Sequence, residues 1–150
     1  MKLAALRIKQ GSIYVAGEKV SAISKGMALF VGFEAADSRD DIALMVQKAI
    51  NLRMFEDQDG KLAYSVKDKE LSILCIPNFT LCASIDKGRR PSFEGSMPYS
   101  EAESFFDEFI AGLKAYGLDV QEGVFGAYMD INLDLDGPVN IIIESKKQDS

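Results

Sequence analysis

In the first third of the chain, apolar residues alternate with polar ones or run unbroken in short blocks, the pattern expected of strands. Such blocks cover Leu3 to Ile8, Ile13 to Val15, Val20 to Ile23 and Met27 to Phe33, with Ala16-Gly17-Glu18 as a hairpin turn between the second and third. This part predicts a meander. The period then changes: Ile42, Met45, Val46, Ala49 and Ile50 recur at helical spacing behind Ser38, with Asp40 and Asp41 in the first turn, where negative charge favours the helix dipole. From Leu52 to Val66 two short strand-like segments flank the tight-turn sequence Asp57-Gln58-Asp59-Gly60. The run Leu71 to Ile76 reads as a buried strand that delivers Pro77-Asn78-Phe79-Thr80 at its carboxyl end.

Residues 83 to 98 are polar and rich in Gly and Pro, which predicts a long surface loop. Ser100 and Glu103 have the spacing of a capping box, and Phe105, Phe106, Phe109, Ile110 and Leu113 line one face of a second helix that Gly117 ends. Met129, Ile131, Leu133 and Leu135 then alternate with Asp130, Asn132 and Asp134 in a half-exposed strand. Asp136-Gly137-Pro138 reads as a turn before a last, wholly apolar strand, Val139 to Ile143. Residues 146–150 read as a frayed tail, leaving 1–145 as one domain. Strands in series with two inserted helices predict an α/β fold, a single layered domain of mixed β-sheet with the helices covering one face. The opposite face then needs a cover, and a second protomer is an economical one.

At 150 residues and 47% hydrophobic, the chain suits one core, with no sign of a second module. No apolar run is long enough to span a bilayer, and Met1 to Ala5 do not form a signal-peptide core, so a soluble, cytoplasmic protein is expected. Cys75 and Cys82 are the only cysteines and read as reduced, packed thiols. The chain contains no histidine, which removes Ser-His-Asp and Cys-His hydrolysis and His-ligated zinc. Catalysis would then fall to carboxylates, hydroxyls, lysine, backbone dipoles or a group on the substrate. A net charge of −6 argues against coating nucleic acid through a broad basic surface. Lys87, Arg89 and Arg90 remain a local cluster, either a clamp for a few phosphates or ordinary solvated loop charges. The glycines fit no phosphate-binding fingerprint and the carboxylates no metal cage, so neither cofactor nor metal is expected.

Thr80 has no neighbouring base, which favours a positioning role over covalent attack; satisfying a local backbone group is the alternative. The Phe79 and Thr80 amides, at a strand end, could face a developing oxyanion. Gly137-Pro138 could present a rigid backbone carbonyl if the bond were cis, although most such bonds are trans. Phe93, Phe125 and Tyr128 could stack on a base or pack in the core.

Taken in order, Asn51-Leu52-Arg53-Met54-Phe55-Glu56-Asp57, Phe79-Thr80-Leu81, Lys87-Gly88-Arg89-Arg90-Pro91-Ser92-Phe93, Gly123-Val124-Phe125-Gly126-Ala127 and Asp136-Gly137-Pro138-Val139 resemble the D-aminoacyl-tRNA deacylases, across almost the whole chain. The resemblance implies that family's fold, with barrel-like sheet packing across a homodimer. It also implies hydrolysis, without metal or cofactor, of the ester between a D-amino acid or glycine and the 3′-terminal adenosine of tRNA. On that basis Phe79 and Thr80 hold the substrate and its oxyanion, and the adenosine lies near Phe125 and Gly126. Gly137 and Pro138 of the partner protomer, joined by a cis bond, form a chiral gate, with Asn78 beside it. Lys87, Arg89 and Arg90 contact the tRNA, and the adenosine 2′-hydroxyl helps activate or orient water. The chain departs from the family in carrying Pro77-Asn78 where Ser-Gln is usual, Tyr128 where Asp is usual, and Asn140 where Thr follows Gly-Pro-Val. The Pro77-Asn78 exchange leaves two alternatives beside D-selective hydrolysis: relaxed specificity toward glycyl or small L-aminoacyl esters, or an inactive dimer that only binds tRNA ends.

Overall fold

The computed structural model describes residues 1–146. Strands β1 (Lys2–Val15), β2 (Glu18–Ile23) and β3 (Gly26–Gly32) form the expected meander, followed by helix α1 (Arg39–Asn51) and the small hairpin β4 (Arg53–Glu56) and β5 (Leu62–Ser65). Next come β6 (Ser72–Pro77), a 3-10 helix (Phe79–Cys82), helix α2 (Tyr99–Lys114), β7 (Val120–Glu122) and β8 (Asp130–Glu144). The main sheet is mixed. β1 lies antiparallel to β2, β3 and β8, while β3, β6 and β7 run parallel to one another.

Four expectations change. The blocks Leu3 to Ile8 and Ile13 to Val15 belong to one strand, β1, because the ladder to β8 continues through Gln10, Gly11 and Ser12 despite their polarity. Asp136-Gly137-Pro138 is not a turn between two strands. It lies inside β8, which keeps pairing with β1 on both sides of it. Helix α2 begins at Tyr99 with Pro98 as its cap, so Ser100 and Glu103 form no capping box; the fixed backbone of Pro98 starts the helix two residues earlier. Residues 147–150 of the expected frayed tail lie outside the described residues, whereas Lys146 pairs with Asp37 and Asp41, each at 3.7 Å.

Two apolar clusters hold the sheet. Both helices lie on one face, where Phe106, Phe109, Met45 and Ile50 pack against Leu3, Leu29 and Ile73. Arg39 clamps the helices together, with its guanidinium 4.3 Å from the Phe105 ring centre and 2.8 Å from the Glu108 carboxylate. The opposite face is not left waiting for a partner. Past its irregularities at Ile8/Gln10 and Ile13/Tyr14, β1 curls so that β2 packs over β6 and β7, and Ile8, Ile13, Ile23, Leu74 and Ile76 close a second core. The result is a nearly closed barrel with a helical layer on one side. No helix among the described residues is long and apolar enough to cross a membrane.

Helix α1 starts as its sequence predicts. The Asp41 carboxylate accepts the Ser38 amide at 2.7 Å and the Ser38 hydroxyl at 3.2 Å. Burial pushes the Asp41 carboxyl upward, but those two hydrogen bonds and the Lys146 charge outweigh it and hold the group below its ordinary 3.8. A lowered folded value means that the stabilisation is complete above the unfolded value and is lost as pH falls through the folded one. Asp41→Ala should therefore cost about 1 kcal/mol near neutral pH. The gap to wild type should close below about pH 4, which urea unfolding across that range measures.

Candidate active site

At the carboxyl end of β6 the backbone makes one more sheet contact, Asn78 N–H to the Val31 carbonyl at 2.7 Å, and then winds into the 3-10 helix. The Asn78 side chain caps that helix: its Oδ1 accepts the Thr80 amide at 3.2 Å and a short hydrogen bond from the Thr80 hydroxyl. This corrects one expectation. The Thr80 amide is taken by Asn78, so the free amide of this strand end is that of Phe79, which as first residue of the 3-10 helix has no intrahelical acceptor. With its hydrogen committed to Asn78, the Thr80 hydroxyl presents lone pairs outward and acts as an acceptor. Cys82 ends the same helix. Burial, with some help from Glu34, pushes its thiol up to about 11, so it is no nucleophile at neutral pH.

Two cavities flank this strand end. One, of about 400 Å³, lies between the 3-10 helix and the start of α2, lined by Val31, Phe33, Pro77, Asn78, Phe79, Ser96, Met97, Tyr99, Ala102, Phe125 and Gly126. The other, of about 290 Å³, opens toward Tyr128, Met129 and Ile131, and Pro77, Asn78, Phe79 and Gly126 are common to both. The strand end and the Phe125-Gly126 turn, 46 residues apart in sequence, thus meet around one site; the span follows from Phe79 and Phe125. The aromatics here are unusually bare, with Phe79 61%, Tyr99 60% and Tyr128 90% exposed.

The other expected residues are placed as follows. Lys87, Arg89 and Arg90 sit exposed at the tip of a loop closed by paired hydrogen bonds between Ser84 and Ser92, at 2.9 and 2.8 Å. That loop is docked on the site by Phe93, whose ring meets Phe79 edge-on with centroids 5.0 Å apart. Gly137 and Pro138, joined by a cis bond and both exposed, line neither cavity. Register shows why. Asn78 stands level with Lys2, whereas Gly137 stands beside Arg7 and three strands away, a separation of about 20 Å along the unrolled sheet.

Sequence reasoning missed Arg7 and Tyr99. Arg7 is the one arginine in the apolar strand Leu3 to Ile8, and that misplaced charge was its only signal. Only 8% exposed, it stands alone opposite the four residues Asp136–Val139, its Nε donates to the Asp136 carbonyl at 2.8 Å, and its Nη1 donates to the Met54 carbonyl at 3.1 Å. Glu56 and Asp136 carboxylates lie at 3.4 and 3.6 Å. At Gly137 a side chain would collide with the Val139 amide, 2.2 Å from the Cβ position.

Residues 5–144 match the family model described as D-Tyr-tRNA(Tyr) deacylase. The chain belongs to the D-aminoacyl-tRNA deacylase family. It is 43% identical to the D-aminoacyl-tRNA deacylase of Halothermothrix orenii, covering 99% of both chains. To D-aminoacyl-tRNA deacylase 1 of Mus musculus it is 42% identical, over 97% of this chain and 70% of that one. Among solved structures it superposes with a TM-score of 0.92 on one titled c-Myc DNA Unwinding Element Binding Protein, at 39% identity over 98% of this chain and 100% of the other. A structure titled as a probable eukaryotic D-amino acid tRNA deacylase, 16% identical with a TM-score of 0.85 over 95% of this chain, shares the deacylase fold.

The placement of Arg7 carries a prediction. Arg7→Met keeps the stem but strips the buried Met54 carbonyl and the part-buried Asp136 carbonyl of their donor, so it should lower unfolding free energy by about 2 kcal/mol in urea titrations.

Proposed function

We propose that the protein hydrolyses the ester between a D-amino acid, or glycine, and the 3′-terminal adenosine of tRNA, in the cytoplasm and as a homodimer. The observation that carries this is the meeting of Asn78-Phe79-Thr80 with Phe125-Gly126 around one cavity, in a chain of the deacylase family. Water adds to the ester carbonyl carbon and charge gathers on its oxygen. The bond to the ribose 3′-oxygen then breaks, and that oxygen takes the proton. The Phe79 amide is the backbone donor suited to the oxyanion. The Thr80 hydroxyl, turned into an acceptor by Asn78, suits the attacking water or the substrate ammonium group.

Three features support a dimer. Gly137 and Pro138 line neither of their own chain's cavities at the strand end, which fits a role at a second copy's site. Among the described residues β8 pairs only with β1, and it carries Leu135 and Ile142, 46% and 64% exposed. Phe79 and Tyr128 add exposed apolar surface at the smaller cavity.

Purified protein should release D-tyrosine and glycine, but not L-tyrosine, from charged tRNA in the presence of a chelator. Thr80→Ala should cut kcat/KM roughly tenfold to hundredfold. Release from L esters would instead indicate relaxed specificity, and binding of charged tRNA without release would indicate an RNA-end-binding dimer. Replacing Lys87, Arg89 and Arg90 together should flatten the plot of log Kd against log salt by about two units while sparing hydrolysis of aminoacyl-adenosine.

A further inference from the structure

The cationic loop and the 3-10 helix that starts at Phe79 form one closed ring of chain. The helix runs straight into the loop, and the Ala83 amide at its end donates to the Thr80 carbonyl at 3.2 Å. Ser84 and Ser92 then bring the two arms together, and the next residue, Phe93, turns its ring back onto that of Phe79. The loop thus begins covalently at one end of the 3-10 helix and returns by an aromatic contact to the other. Just past Phe93 the chain is fastened to the fold, with the Ala35 amide on the Gly95 carbonyl at 2.9 Å and the Met97 amide on the Phe33 carbonyl at 3.1 Å. The tip faces water. Lys87, Arg89 and Arg90 are exposed there, and among the described residues none of the three is in an ion pair. Asp86, in the same loop, is taken up by the Ser84 hydroxyl, which donates to it at 2.8 Å.

A short 3-10 helix makes few and poorly aligned hydrogen bonds, and the one that opens this helix, from the Leu81 amide to the Asn78 carbonyl, is long at 3.3 Å. The Asn78 side chain fixes the turn from the Thr80 side. The Phe79 ring is mostly in water, and among the described residues Phe93 is the one aromatic ring packed on it. Edge-on contacts are directional, so Phe93 sets the orientation of Phe79 as well as its distance.

We infer that Phe93 is a positioning residue that couples the cationic loop to the Phe79 amide, so that phosphates held at the tip raise the rate of ester cleavage as well as the affinity for tRNA. This rests on the deacylase reading and adds to it a role for the tRNA backbone. Phosphate at the tip restrains the loop, the loop restrains Phe93, and Phe93 restrains the residue that carries the oxyanion donor. Binding energy from a part of the substrate remote from the ester is thereby used for orientation at the ester.

The test compares single-turnover rate constants, at saturating enzyme, on D-tyrosyl-tRNA and on D-tyrosyl-adenosine, which has no phosphate. Wild type should cleave the tRNA ester about tenfold to hundredfold faster than the nucleoside ester. Phe93→Ala should remove most of that advantage with Kd for uncharged tRNA near wild type, and Phe93→Tyr, which keeps the ring, should restore it. Lys87→Gln, Arg89→Gln and Arg90→Gln together should lower the same advantage with Phe93 intact. Adding Phe93→Ala to that triple variant should lower it no further, because groups acting as one unit are not additive. Equal wild-type rates on the two substrates, equal losses on both in Phe93→Ala, Phe93→Tyr as slow as Phe93→Ala, or a triple variant whose saturated rate on tRNA is intact would each overturn the inference while leaving the deacylase standing. If wild type cleaves neither ester, the deacylase reading falls and this inference with it.

Discussion

One buried arginine holds the single large break in the longest strand pair of the molecule. β1 and β8 run side by side for almost their whole length, and between Leu6 and Ile8 the partner strand fits four residues against one. Left to itself such a bulge would expose carbonyls and slide, because neighbouring registers differ little where side chains are not buried on one face. Arg7 removes that freedom by binding the Asp136 carbonyl on β8 and the Met54 carbonyl on β4 at once. The bulge, the strand pair and the small hairpin are thereby tied at one point, and Gly137-Pro138 is presented outward instead of being absorbed into the ladder.

The same strand pair determines where the chemistry sits. Because β1 bends beyond Ile8, the amino-terminal hairpin folds over β6 and β7 and closes a second core, which leaves the carboxyl end of β6 as the open end of the barrel. There the parallel order of β3, β6 and β7 brings the strand end at Asn78 beside the turn at Phe125 and Gly126. The strand end at Asn78 and the Gly137-Pro138 bulge are consequently built from the same sheet yet separated along it.

Much of the fold was legible in the residues, and the failures have particular causes. α1 could be read because Ser38, Asp41 and the apolar stripe agree; the Asp59-Gly60 turn and the buried run to Ile76 were equally explicit. β1 was split in two because Lys9, Gln10 and Ser12 break its alternation while the ladder to β8 persists. Asp136-Gly137-Pro138 looked like a turn because local turn chemistry and a bulge use the same residues, and only the pairing partner tells them apart. At the candidate site, the motifs singled out Asn78, Phe79, Phe125 and Gly126, which line one cavity. Tyr99 was not legible, since a helix-start tyrosine carries no signal until the cavity shows it bare.

Whether the site is shared between chains is decided most directly by complementation. Thr80→Ala, which spoils the strand end, and Gly137→Ala, which spoils the gate, would be unfolded and refolded together and assayed on D-tyrosyl-tRNA against each variant refolded alone. A shared site predicts that the mixture hydrolyses D-tyrosyl-tRNA faster than the average of the two variants refolded alone, because mixed dimers pair an intact strand end with an intact Gly137-Pro138. Activity in the mixture no greater than the average of the two separate preparations would contradict it.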